Sequence, residues 1–495
     1  MKTSSLLALS LVAALGCEKK LVGRKLASGV SQRLTVQKHG VAFLLDAVHP
    51  DEPGVPQDLY IGDLWAGPLD KPSTRVGTGV SSQPGSFAFS TDGQIVAYLA
   101  RFRFRDGKGE LWAARVGTGV PEQVGREVSS FAWSPTHTAL AFVAPDTLSI
   151  RGAYELHLPG LQNIAWSPDG MNIAARASTA SGGAFWFVDA LHGKVRQVGD
   201  GITDFAFSSK GILAFLGPPG PKGGDRPLYL DGLEAGAATA FQFSPDGSQI
   251  ALLSTAKQPG EATGDLYKMP MPLPGAPPGV PVLVATKVSD WRWSSTGELL
   301  GLARYDLRAR AGTLTISADG PPRELSPKVQ AFTAFGKKLL YLVQAPQKGD
   351  YKLELWSVDL GSNAAPRKVD DGVYGWDMTG DSLLYKARCA GGPRACSLMR
   401  APFDGSKSAE MVAADVAGFD ISADGSRVLV QQPHHGSSKA VDLVVVPTGN
   451  VQTERLKVVI EEADPSARFS DDGGKHVVYA TNAKEKQGVY VADVP

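Results

Sequence analysis

The sequence carries no excess charge of either sign and almost no cysteine. Lysine plus arginine number 50, and aspartate plus glutamate also number 50. A neutral chain has no global field to draw it to nucleic acid, and no acidic or basic tail stands out. Charged residues are only 20% of the total and hydrophobic ones 43%, too apolar for general disorder. No Gly-x-Ser-x-Gly elbow occurs, which excludes an α/β-hydrolase domain. Phosphate-loop, His-Glu-x-x-His and Asp-x-Asp-x-Asp-Gly patterns are also missing. Catalytic residues, metal ligands and cofactors are therefore expected to be none.

Long apolar runs are missing too. The longest, Leu6 to Leu15, has ten residues, where a spanning helix needs about 20. It follows the positive Met1-Lys2, which makes it a signal-peptide core. Ala14-Leu15-Gly16-Cys17 comes next and resembles the lipobox of bacterial lipoproteins, though Ala14 and Leu15 reverse the usual order. The resemblance implies removal of residues 1–16, a diacylglycerol thioether on Cys17 and a membrane anchor. Glu18, in place of the Asp that usually retains such proteins at the inner membrane, points to the outer membrane. An ordinary secretory signal with an incidental Cys17 is the alternative.

Two further cysteines remain, Cys389 and Cys396. Gly391-Gly392-Pro393 is a turn signal between the strand-like runs that carry them. The thiols are expected to face each other across a hairpin and to bridge in an oxidising compartment.

What the chain has in abundance is glycine (56) and proline (34), nearly one residue in five, and a repeat. Phe87-Ala88-Phe89-Ser90-Thr91-Asp92-Gly93 returns as Phe131-Ala132-Trp133-Ser134-Pro135 and Ile164-Ala165-Trp166-Ser167-Pro168-Asp169-Gly170. Further copies start at Phe205, Phe241, Trp291, Phe332, Trp376, Phe419 and Ala467, with a weak first one at Leu34. Eleven copies from Leu34 to Ala467 give a mean spacing of about 43 residues. Within a copy, Phe-x-Phe-Ser alternates as a strand with one buried face. Ser-Pro-Asp-Gly makes a tight turn, so each Asp is a turn residue before it is an acid or base. Runs such as Ile95 to Tyr98, Glu110 to Ala114 and Arg75 to Val80 supply the second, third and fourth strands. Four short strands per copy form the blade of a β-propeller.

The pattern resembles the WD-like repeats of TolB-type propellers over residues 34 to 495. The stretch before residue 34 is too short for that family's additional α/β domain. The expected fold is all-β, about eleven four-stranded blades in one large ring or two tandem propellers. Pro270 to Pro281 is either the boundary between residues 34–269 and 282–495 or a long loop inside one blade. Residues 17–33 hold the lipidated N-terminus and Leu26 to Val30, which is expected to close the last blade beside Val489 to Val494.

Three features concern function. Arg101, Arg103 and Arg105 alternate with Phe102 and Phe104, and Arg304, Arg308 and Arg310 occupy the equivalent place in another copy. These arginines either form a patch for an anionic partner or solubilise long hairpins. His434-His435 reads as a solvated loop, because no carboxylate or Cys stands near it at ligand spacing. The whole reads as a lipid-anchored envelope scaffold for a protein or glycan partner. The alternative is a hydrolase or lyase on carbohydrate or peptide, with its site in the central funnel.

Overall fold

The computed structural model of the chain describes residues 23–29, 31–37, 40–50, 55–118, 120–178, 183–202, 204–219, 224–255, 263–272, 276–318, 320–347, 350–360, 362, 365–389, 395–435, 440–448, 460–481 and 486–494. The expected signal segment, residues 1–16, and Cys17 lie outside them. Every regular element described is a β-strand, and no described helix is long and apolar enough to cross a membrane.

The strands form antiparallel meanders of four. Sheets of this kind open at Ser130–Trp133, Leu161–Trp166, Asp204–Phe207, Ala240–Phe243, Gly375–Thr379 and Gly418–Ile421. Two larger sheets are each a pair of meanders joined. One runs from Ser31–Gln37 to Pro121–Val128, linked through the single pairing of Val80 with Ala100. The other runs from Trp291–Trp293 to Arg367–Asp371, and its 13-residue strand Arg323–Phe335 ends one meander and begins the next. The architecture is propeller-like, as the alternation of Phe-x-Phe-Ser leads one to expect.

A last sheet takes its strands from both ends of the chain. Arg468–Phe469, His476–Thr481 and Gly488–Asp493 are followed, at the outer edge, by the N-terminal strand Arg24–Ala27. Arg24 pairs with Val491, Lys25 with Tyr490 and Ala27 with Val489. An N-terminal strand does pair beside Val489 to Val491, but it is Arg24–Ala27 and not the expected Leu26 to Val30.

Each buried cluster but one unites two meanders consecutive in the chain. Ala42 and Leu44 pack with Val96 and Tyr98, Ala97 and Leu99 with Leu140 and Phe142, and Phe185 with Phe215. Ala251 and Leu266 meet Trp293 and Leu299 in the same way. The Pro-rich stretch around residues 270–281 runs between Gly264–Pro270 and Val282–Val288, two hydrogen-bonded strands of one sheet. A further cluster joins Leu26, Val489 and Val491 to Val41, Phe43 and Leu45 of the first meander. Apolar side chains on both faces of the second strands, as in Leu213–Leu216 and Leu140–Ala144, explain this packing, because such a strand must be covered on both sides.

Indole groups add polar links between sheets. Trp133 Nε1–H donates to the Ala88 carbonyl, Trp166 to Ala132 and Trp293 to Gln242, each at 3.1 Å. The receiving carbonyl belongs in each case to the middle residue of an earlier sheet's Phe-x-Phe or Phe-x-Trp.

Candidate functional site

The first-to-second turns, Ser-Pro-Asp-Gly at 167–170 and 244–247 and variants of it elsewhere, mark one end of their sheets. Ser167 is buried; its Oγ donates to Asp169 Oδ1 at 2.5 Å and accepts the Asn172 N–H at 2.9 Å. Asp169 Oδ1 also accepts the Met171 N–H at 2.9 Å. The same circuit recurs at Ser90/Asp92, Ser244/Asp246, Ser422/Asp424 and Ser470/Asp472. Gly170 closes its turn at φ 69°, and a Cβ there would fall on the Thr136 and Ser134 hydroxyls. The Ser248 and Ser244 hydroxyls hold Asp246 down at about 2. The Ser426 N–H, with the Ser422 hydroxyl, does the same to Asp424. These carboxylates are ionised and spent on their own turns.

Turns of successive sheets stand side by side. Thr136 Oγ1 donates to the Asp169 carbonyl at 2.9 Å, Lys338 Nζ to Gly380 at 2.9 Å and Thr379 Oγ1 to Gly425 at 2.7 Å. In this row a cleft of about 610 Å³ opens, lined among others by Ser382, Arg400, Lys407, Glu410 and Thr448. A neighbouring cavity of about 370 Å³, with Phe335, Lys337 and Met378, meets it at Gly380. Arg400 Nη2 stands 3.3 Å from Glu410 Oε2, and its Nη1 donates to the Thr448 carbonyl. Hydroxyls and charges of both signs suit this cleft to a polar ligand held by several hydrogen bonds. Apart from the repeat turn Asp424-Gly425, none of its residues was singled out from the sequence, because they come from separate turns spread between residues 379 and 448 and bear no common motif.

The six arginines singled out from the sequence stand at the opposite end, on two hairpins of different sheets. Arg101 is 75% exposed and pairs with Glu110 at 3.1 Å. With Arg75, Tyr98 and Trp112 it lines a cavity of about 300 Å³. Arg103 is held by Asp106 at 2.8 Å and Glu127 at 2.6 Å, and its guanidinium keeps both carboxyls below their usual range. Arg304 pairs with Glu324 at 2.7 Å. Arg105, Arg308 and Arg310 are exposed. Arg101 and Arg304 both take positive φ, 51° and 47°, at register shifts in their hairpins. The exposure nevertheless alternates as read from the sequence: Arg101, Arg103 and Arg105 are exposed, Phe102 is buried and Phe104 half-buried against the same cluster. Phe102 and Phe104 lie edge to face at 5.2 Å, and Phe102 is buried.

Four other groups complete the inventory. Cys389 and Cys396 are disulfide-bonded across their hairpin. Burial raises the pKa of Asp420, the nearby Asp377 charge adds to this, and Asp420 Oδ2 accepts the Phe469 N–H at 3.1 Å. Burial lowers Lys386, whose Nζ donates to the Ala417 carbonyl at 2.7 Å. His434 is flanked by Asp442, 2.7 Å from Nδ1, and Glu462, 3.6 Å from Nε2. The fold thus brings it carboxylates that the sequence nearby lacks. They sit on opposite ring nitrogens, and no group of three or more His, Cys, Asp or Glu among the described residues could hold a metal ion.

No family model and no curated protein matches the chain. One similar solved structure, titled "Crystal structure of the eukaryotic initiation factor", is 10% identical with a TM-score of 0.42, over 69% of this chain and 88% of that chain.

Proposed function

We propose that the protein is a cell-envelope lipoprotein, anchored through Cys17, whose propeller is a scaffold for a protein or glycan partner. Its blades number eleven and close in one ring. Closure is supported by the cluster that joins Leu26, Val489 and Val491 to Val41, Phe43 and Leu45, because it pairs the last meander with the first. Export is supported by the lipobox-like Ala14 to Cys17 and by the Cys389–Cys396 bridge, which persists in an oxidising compartment.

The observation that carries the binding reading is the cleft at Arg400. Its wall is assembled from turns of two neighbouring sheets and presents guanidinium, ammonium, carboxylate and hydroxyl groups. Such a surface recognises a partner through many shared hydrogen bonds. Arg400→Ala combined with Lys407→Ala tests it, with crosslinking of the native protein to envelope glycans and proteins as the readout. Loss of one defined crosslinked product is expected. Unchanged crosslinking would remove the cleft from the interface.

A second reading keeps the enzyme, on the strength of Asp420. A buried carboxyl with raised pKa is what a general acid needs. Hydrolysis of envelope carbohydrate or peptide that Asp420→Asn abolishes, in protein of unchanged melting temperature, would move the assignment to the funnel.

A further inference from the structure

In a four-stranded meander the first-to-second and third-to-fourth turns share one end, and the second-to-third turn lies at the other. The inter-sheet bonds from Thr136, Lys338 and Thr379 align these ends from sheet to sheet. Twelve described large apolar side chains stand exposed, and nine of them lie at the end with the first-to-second turns. They occupy its turns or the first two residues of the strands that leave them. Met171, Leu191, Leu233, Val280, Val282 and Leu283 come from three sheets consecutive in the chain. Leu191 is 64% exposed and Val280 81%. Isolated exposed apolar residues are ordinary, but a run of them along one rim marks an interaction surface.

The N-terminal strand enters at this same end. Arg24 lies opposite Val491, toward the C-terminal end of Gly488–Asp493, whereas Ala27 lies opposite Val489. Arg24 Nη2 donates to the Leu69 carbonyl at 2.7 Å, and Leu26 accepts the Ser73 N–H at 3.0 Å. Leu69 and Ser73 belong to the third-to-fourth turn of the first meander. Cys17 precedes Arg24 by seven residues, at most about 25 Å of extended chain.

We infer that the rim from Met171 to Leu283, at the end carrying the first-to-second and third-to-fourth turns, is seated in the interface of a lipid bilayer, with the ring tilted on its tether so that the polar cleft at Arg400, in later sheets of the same end, stays open to its partner. The inference rests on the proposed lipid anchor at Cys17. Acyl chains and apolar rim then hold one face at two separated places, and two attachments resist release far better than one. The arginine hairpins at Arg101 and Arg304 face away from the membrane.

The test uses full-length acylated protein in vesicles of phosphatidylethanolamine and phosphatidylglycerol that contain a phospholipid with a photoactivatable acyl chain. Labelled peptides are mapped by mass spectrometry. Label is expected on the segments around Met171, Leu191, Leu233 and Val280 to Leu283, and on the N-terminal peptide. Leu191→Gln with Leu233→Gln should cut label at those two segments by about tenfold and leave the N-terminal label unchanged. Label confined to the N-terminal peptide overturns the inference and leaves the anchor standing. Label on residues 101–108 or 304–310 overturns it as well. Absence of rim label together with a dimer by light scattering assigns the rim to a second copy and overturns it. Rim label without an acyl group on Cys17 supports the face and overturns the anchor.

Discussion

Arg24 and Leu69 meet at 2.7 Å, guanidinium to carbonyl, and so tie the first described strand to a turn of the first meander. That contact and the burial of Leu26 beside it hold the last sheet against the first. Leu26→Ala should cost about 2–5 kcal/mol, the range for a fully buried leucine. Hydrogen exchange at Val489 and Val491 reads the effect, since their strand pairs with Arg24–Ala27. Exchange equal to that of the unsubstituted protein would show that Leu26 does not secure this sheet.

The disulfide closes a short loop between residues 389 and 396. Replacing both cysteines by serine should lower stability by roughly 2–3 kcal/mol. Melting with and without reductant measures it: the reductant should shift the native protein and leave the double variant alone. Labelling of both thiols in unfolded, non-reduced protein from its native source would refute the bridge.

Trp166→Phe keeps an aromatic ring, a smaller one, and deletes the N–H that satisfies the Ala132 carbonyl. The expected loss is about 1–2 kcal/mol, the cost of an orphaned, partly buried acceptor. Trp133→Phe should behave alike through Ala88. Denaturant midpoints check both. The loss combines the hydrogen bond with the smaller ring's packing, and Phe at the equivalent Phe89 and Phe243 shows that the repeat accommodates that ring.

Asp246 and Asp424 are held at about 2, below an ordinary aspartate. A carboxyl depressed in the folded state contributes stability above its unfolded pKa and loses it as pH falls through the folded value. The protein should therefore weaken between about pH 4 and pH 2. Asp246→Asn with Asp424→Asn keeps an acceptor in each turn but removes the titration. The acid limb of a melting-temperature profile should flatten. An unaltered limb would place the acid sensitivity elsewhere.

Much of the architecture was legible because it is local. Phe131-Ala132-Trp133-Ser134 reads as a strand from its alternation, and Ser167 to Gly170 reads as a turn from the φ preferences of Pro and Gly. The hairpin of Cys389 and Cys396 needed only a Gly-Gly-Pro turn between two strand-like runs. The N-terminal strand was expected from a missing partner at Val489 to Val494, and the pairing of Arg24 with Val491 has that form. The arginine hairpins were placed correctly on their strands, but Glu127 and Glu324, which occupy two of those arginines, lie more than 15 residues away.

The sequence by itself determined strand, turn and repeat, because each depends on neighbours within a few residues. Only the tertiary structure decided which turns face each other. Arg400 and Thr448 come together because successive sheets stack with their ends in register, and Met171, Leu191 and Leu233 share a rim for the same reason. A residue's spacing along the chain carries no record of that register. It follows from burying both faces of every second strand, which no single repeat can accomplish alone.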